Sequence, residues 1–137
     1  MGLIYLDTCL IIYLVERHPQ WFGAIKRAMQ AQVDTRFAVS PLVKAECLTG
    51  AFARGDLPLQ AAYEALFKRL IVLDMPEIVF INAAHLRARF NLQMPDALHL
   101  ACAQFHACDA LWTNDARLRT AAGALAYEIL LTTADMG

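Results

Sequence analysis

The sequence predicts an α/β domain, a three-layer α/β/α sandwich with a mainly parallel sheet of four to five strands. Two observations carry this. Short apolar runs alternate with longer stretches of helical spacing along the chain, which is the pattern of strand–helix–strand units. The first run, Leu3 to Leu6, leads straight into Asp7 and then into helix-forming sequence. Such a run reads as a central strand buried on both faces. A length of 137 residues fits a single domain, 1–137, with a full core.

After the first strand, Thr8 to about Glu16 reads as a short helix. His18-Pro19 interrupts it, because proline disfavours helix in the residue before it and has no amide to donate. A second helix is expected from about Gln20 to Gln32. Trp21, Ala24, Ile25, Ala28 and Met29 share one of its faces, and Lys26 and Arg27 point elsewhere. Arg36 to Ser40 is a short strand. Ser40-Pro41 opens a helix to about Phe52, with serine as N-cap and proline at the first position.

The loop Arg54 to Pro58 carries turn residues, and a helix follows from about Leu59 to Arg69. Ile71 to Asp74 is a strand, and Pro76 opens a helix to about Phe90 with Asn91 as its stop. Met94-Pro95 starts a helix to about His106. Ala110 to Thr113 is a strand, and Asp115 caps a helix that ends at Gly123. Tyr127 to Leu131 is a final strand, and the tail from Thr132 is expected to fray. No internal repeat, low-complexity segment or linker stands out.

Composition excludes several functions. The net charge is −1 with no long run of like charge, which argues against binding a polyanion through a broad basic surface. Apolar residues make up 58 % and charged residues 18 %, so part of the apolar surplus is expected to meet another chain. Cys9, Cys47, Cys102 and Cys108 form no CxxC pair and read as reduced core thiols of a cytoplasmic protein, not as a zinc site. The N-terminus lacks a signal peptide's basic region and cleavage site, and the apolar stretches are too short or too interrupted to span a bilayer.

Four acids concentrate the chemistry. Asp7 and Asp115 each follow a strand, and each could simply cap a helix. Glu46 has Leu42, Val43, Thr49 and Gly50 as its helical neighbours, so no basic residue on its own helix can pair with it. A carboxylate on such a face is costly to bury unless a cation meets it. Asp96 lies in the first turn of its helix, where the dipole favours an acid, yet its neighbours His99, Leu100 and Ala103 look inward.

In a parallel sheet, strand ends and the starts of the following helices share one edge. All four acids are therefore expected at that edge, where ligands bind at the reversal of strand order. Four carboxylates gathered there could not all stay ionised without a cation. Oxygen-only ligands select Mg²⁺, with Mn²⁺ as substitute, and such a metal would activate water at a phosphodiester. Thr8, Thr113 and Asn114 could orient ligands or water.

At this point the segments LIYLDTCLIIYLVE, SPLVKAECLTG, MPDALHLACA and LWTNDARL, in this order and spacing, resemble PIN-domain ribonucleases. The likeness is greatest to the VapC-type toxins of bacterial and archaeal toxin–antitoxin pairs, and it spans nearly the whole chain. By that resemblance, Asp7 is the aspartate of the first strand, Glu46 the glutamate of the middle helix and Asp96 the aspartate of the PDA segment. Asp115 matches the fourth acid, in the TND segment, which is the family's most variable position. The resemblance implies a PIN-like fold and Mg²⁺-dependent endonucleolytic cleavage of RNA. It also implies a homodimer and an antitoxin that blocks the site and represses its own operon, so that operator DNA is met only through the complex.

Other residues fit this frame less closely. His99 reads as a packed or hydrogen-bonded histidine in preference to a phosphate contact. Lys44, Arg17 and Arg117 are the basic residues expected nearest the site; they are candidates for RNA contact, with ordinary surface charge the preferred reading. Trp21 and Trp112 read as core or interface, not as base-stacking platforms.

Three other functions compete. An aspartyl-phosphate enzyme using Asp7 would carry a second aspartate two residues on, where Cys9 stands. A non-catalytic PIN-like interaction module would have a degraded acid set, and this set is intact. PIN nucleases of RNA processing outside a toxin–antitoxin pair usually carry extra domains that this chain lacks.

Overall fold

The computed structural model describes residues 2–123 and the backbone of a last short strand at Ala126–Tyr127. Five parallel strands form one sheet in the order β3-β2-β1-β4-β5. They are β1 (Gly2–Leu6), β2 (Thr35–Val39), β3 (Ile71–Val72), β4 (Ala110–Trp112) and β5 (Ala126–Tyr127). Seven helices connect them: α1 (Thr8–Val15), α2 (Phe22–Gln30), α3 (Pro41–Arg54), α4 (Leu57–Phe67), α5 (Glu77–Arg89), α6 (Met94–Phe105) and α7 (Ala116–Ala122).

The apolar first strand takes the middle of the sheet because both its faces are covered. Ile4, Tyr5 and Leu6 are buried, with Tyr5 paired to Ala38 on one side and Leu111 on the other. From β1 the chain steps outward through β2 to β3, then crosses back over β1 to β4 and on to β5. Parallel crossovers are right-handed, so reversing the direction of travel moves the helices to the opposite face. The substantial helix–helix contacts divide accordingly, with α1 to α4 in one set and α5 to α7 in the other. The strand order reverses between β1 and β4, and their C-terminal ends open the crevice there.

Local chemistry sets the helix starts. Asp7 accepts from the amide of Thr8, Ser40 from that of Val43, and Asp56 from that of Leu59. Gly55 ends α3 at φ 60°, a conformation that other residues adopt only with strain. Among the described residues no helix is long and apolar enough to cross a membrane. All four cysteines are free thiols, three of them buried and Cys9 half-buried.

Several boundaries differ from the sequence expectation by about two residues, and three of the differences have a local reason. α2 starts at Phe22, not near Gln20, because His18 Nδ1 accepts from the amides of Gln20 and Trp21 and holds that segment as a turn. α4 starts at Leu57, two residues early, because the Asp56 cap draws Pro58 into the first turn. β3 pairs over only Ile71–Val72, and the amide of Leu73 adds one further bond to Val39. Of the final strand expected over Tyr127 to Leu131, Tyr127 pairs with Trp112, and the rest, like the tail, lies outside the described residues.

Candidate active site

At the C-terminal ends of β1 and β4 lies an open cleft of about 770 Å³. Asp7, Glu46, Asp96 and Asp115 all line it, together with Thr8, Asn114 and His99. The four acids come from the four places the sequence suggested: a strand end, the third helix, the first turn of α6 and the segment after β4.

Asp7 is the most enclosed, with 7 % of its surface exposed. Oδ1 accepts from the Thr8 amide at 2.8 Å, and Oδ2 accepts from Thr113 Oγ1 at 2.7 Å. Thr113 is itself buried, and its Oγ1 accepts from the Asp115 amide at 3.0 Å. One threonine therefore ties two of the acids together. Asp115 Oδ1 also accepts from the amides of Arg117 and Leu118, so the expected cap of α7 is present and Asp115 lines the cleft as well.

Glu46 reaches across from α3 and finds two donors. Oε1 accepts from Thr8 Oγ1 at 2.6 Å and lies 2.7 Å from His99 Nε2. Burial pushes the Glu46 carboxyl up, but hydrogen bonds from His99 and Thr8 pull it down further, and the net shift is below the ordinary value. Asp96 shifts the other way. Burial raises it first, then the charges of Asp115, Asp7 and Glu46, against a smaller lowering by His99. Among the described residues no hydrogen bond is made to Asp96.

His99 is 1 % exposed and bridges the two helix layers. Its Nδ1 lies 2.7 Å from Tyr5 Oη, and Tyr5 Oη lies 2.7 Å from Ser40 Oγ. Burial raises the Tyr5 hydroxyl well above its ordinary value, so it keeps its proton. The hydrogen-bonded histidine expected from sequence is thus present. Tyr5 and Ser40 were missed as site residues. The signal was available, because a tyrosine in an otherwise aliphatic central strand must find a partner for its hydroxyl.

The basic residues are distributed differently from the expectation. Among the described residues lining the cleft, Arg117 is the sole lysine or arginine. Lys44 turns away onto the Phe67 ring, and Arg17 lies over the Phe22 ring in a separate groove. Trp112 is buried against Phe37, and Trp21 packs on the core, as expected.

The donor chemistry fits a hard cation: four carboxylates line one cleft, and burial together with the neighbouring carboxylates raises Asp96. Their positions do not yet form a coordination shell. Among the described residues no group of three or more histidines, cysteines and acids is arranged so that it could hold a metal ion.

A parallel α/β sheet with an acidic cleft at its reversal of strand order defines a class of open-sheet α/β proteins that bind ligands at that edge. Within that class the assignment is specific. The PIN domain family model matches residues 4–124, and the chain belongs to that family. No curated relative matches the sequence. Solved structures share the fold at low identity. A toxin–antitoxin complex from Klebsiella pneumoniae superposes with a TM-score of 0.75 at 20 % identity, over 94 % of this chain and 98 % of that one. VapBC-1 from nontypeable Haemophilus influenzae gives 0.72 at 22 %, over 94 % and 98 %. VapC20 of Mycobacterium tuberculosis, described as a toxin that cleaves the sarcin–ricin loop, gives 0.73 at 18 %, over 86 % and 94 %.

Proposed function

We propose that this chain is a single PIN domain acting as a Mg²⁺-dependent endoribonuclease, the toxin of a toxin–antitoxin pair. The observation that carries the reading is the cleft at the β1–β4 reversal, lined by four carboxylates together with Arg117. Asp7, Glu46, Asp96 and Asp115 would hold Mg²⁺, or Mn²⁺ in its place. A divalent ion bound there would lower the pKa of water and stabilise charge on the phosphate. The protein's part is positioning. Thr113 fixes Asp7, Thr8 fixes Glu46, and Arg117 supplies a cation for a backbone phosphate.

The partners follow from fold neighbours and surface. Neighbouring structures contain toxin–antitoxin complexes. Here α5 exposes Ile78, Phe80 and Ile81 by nearly half each, and such a patch supports a protein contact such as a homodimer. A second groove of about 620 Å³, with Phe22, Met29 and Leu66 in its lining and Arg17, Lys26 and Arg69 among its residues, suits an amphipathic acidic antitoxin segment. A reduced cytoplasmic setting agrees with four free cysteines.

The test is RNA cleavage by the purified, antitoxin-free chain with Mg²⁺ or Mn²⁺, beside Asp7→Asn. Asparagine still caps α1, so the fold is kept while the charge is lost. The expected loss exceeds about a hundredfold, the upper end for groups that only support a metal ligand. Equal cleavage by both proteins, or none by either on several RNA classes, overturns the reading. One observation favours a second reading, a non-catalytic interaction module: the acids are not drawn into a metal-holding arrangement. Calorimetric titration with Mn²⁺ decides between them, because the module predicts no binding.

A further inference from the structure

We propose that His99 is a positioning residue for Glu46, and that the buried Tyr5–Ser40 hydroxyl pair fixes the histidine tautomer this requires. The catalytic consequence rests on the nuclease reading, whereas the tautomer does not.

The hydrogen-bond directions follow by elimination. Glu46 Oε1 accepts from Thr8 and faces His99 Nε2 at 2.7 Å. An ionised carboxylate has no proton to give, so Nε2 donates. With Nε2 donating, Nδ1 accepts from Tyr5 Oη, 2.7 Å away, because an Nδ1 proton, with or without one on Nε2, would leave the hydroxyl pair beyond it with one proton too many. Tyr5 Oη then accepts from Ser40 Oγ–H at 2.7 Å, and Ser40 Oγ accepts from the amide of Val43 at 3.4 Å. Every proton in the chain has a destination.

The reverse order fails at both ends. A proton on Nδ1 would donate to Tyr5, Tyr5 would donate to Ser40, and the Ser40 proton would have no acceptor among the described residues. A bare Nε2 would then set its lone pair against a carboxylate oxygen. Stranding a buried donor and opposing two acceptors are each unfavourable, and among the described residues no buried polar side-chain atom lacks a partner.

The relay matters because Glu46 has no basic neighbour on its own helix. Two donors hold Oε1, one from α1 and one from α6, and among the described residues Oε2 accepts from none, so it is the oxygen left for the cleft. Tyr5 is fully buried and absent from the cleft lining, and among the cleft residues its hydroxyl bonds His99 directly.

Two measurements test this. Long-range ¹H–¹⁵N correlation of the imidazole nitrogens in the metal-free protein is expected to show His99 protonated on Nε2, with Nδ1 as acceptor. Tyr5→Phe, which removes only the hydroxyl, is expected to shift the Nδ1 resonance and populate the second tautomer. A wild-type Nδ1–H tautomer, or a Tyr5→Phe spectrum unchanged at His99, overturns the proposal.

The second arm compares His99→Gln, whose amide N–H reaches where Nε2 stood, with His99→Asn, whose shorter amide does not. His99→Asn is expected to lose about 10- to 100-fold in kcat, with His99→Gln retaining at least roughly threefold more activity than Asn at similar KM. Equal losses that follow the fall in Tm would mean a packing role only and overturn the proposal. This arm and the wild-type spectrum also decide the matter if Tyr5→Phe fails to fold. If the wild-type chain cleaves no RNA, the nuclease reading fails alone and the nitrogen signature still decides the relay.

Discussion

Glu46 and Asp96 line the same cleft, yet their surroundings push them in opposite directions. Glu46 meets two donors, Thr8 and His99, and its carboxyl is lowered despite burial. The Asp96 carboxyl meets no donor among the described residues, and it is raised by burial first and then by three other carboxylates. One wall of the cleft is therefore built around satisfied charge, and the other stores repulsion. The contrast sorts the acids of one cleft into two kinds. The inner wall is set by hydrogen bonds that folding supplies, and the outer wall carries the strain that a ligand would relieve.

The largest effect on stability should come from the inner wall. Thr113 Oγ1 donates to Asp7 and accepts from the Asp115 amide. Thr113→Val keeps the shape but strands a buried carboxylate oxygen and a backbone donor. The expected loss is about 2 kcal/mol, read by urea unfolding of the metal-free protein. A loss below about 0.5 kcal/mol would mean that water replaces the hydroxyl, and the inner wall would then be no better organised than the outer.

The inner wall was also the less legible one in the sequence. Asp7 could be placed because an apolar strand ran into it, and Asp96 because Pro95 opened its helix. Glu46 could be singled out because its own helix offered no partner. The partner itself, His99, comes from α6, 53 residues away, and local spacing cannot report a contact made across two helix layers. The reversal between β1 and β4 brings α3 and α6 over the same strand end, and that is a property of topology, not of any segment. Tyr5 shows the limit from the other side, since an aromatic in a buried strand reads as packing until its hydroxyl must be accounted for.

The two walls should separate by pH. Glu46 is lowered, so its contribution is present above the ordinary value of 4.5 and lost as pH falls through its lower folded value. Asp96 is raised, so the sign reverses. Its favourable contribution is present below the ordinary value of 3.8 and lost as pH rises through the higher folded value. At pH 7 and without metal, Glu46→Gln is expected to destabilise by roughly 1 kcal/mol, after discounting for its partial exposure. Asp96→Asn is expected to stabilise by up to about 1 kcal/mol on the same grounds. Thermal unfolding from pH 3 to 8 checks both, and a matching sign for the two variants would erase the distinction between the walls.

The smallest effect separates the two roles of Asp115. Its Oδ1 caps α7 through the amides of Arg117 and Leu118, while the residue also lines the cleft. Asp115→Ala removes cap and charge together and is expected to cost about 1 kcal/mol. Asp115→Asn keeps a capping oxygen and is expected to cost only a few tenths. If Asp115 serves only as a cap, RNA cleavage should follow stability, and the asparagine variant should stay close to wild type. If its charge belongs to the outer wall, both variants should lose Mn²⁺ affinity alike although only alanine unravels the start of α7. Asp96 should then fall back toward its ordinary value in both, because Asp115 is the charge that raises it most.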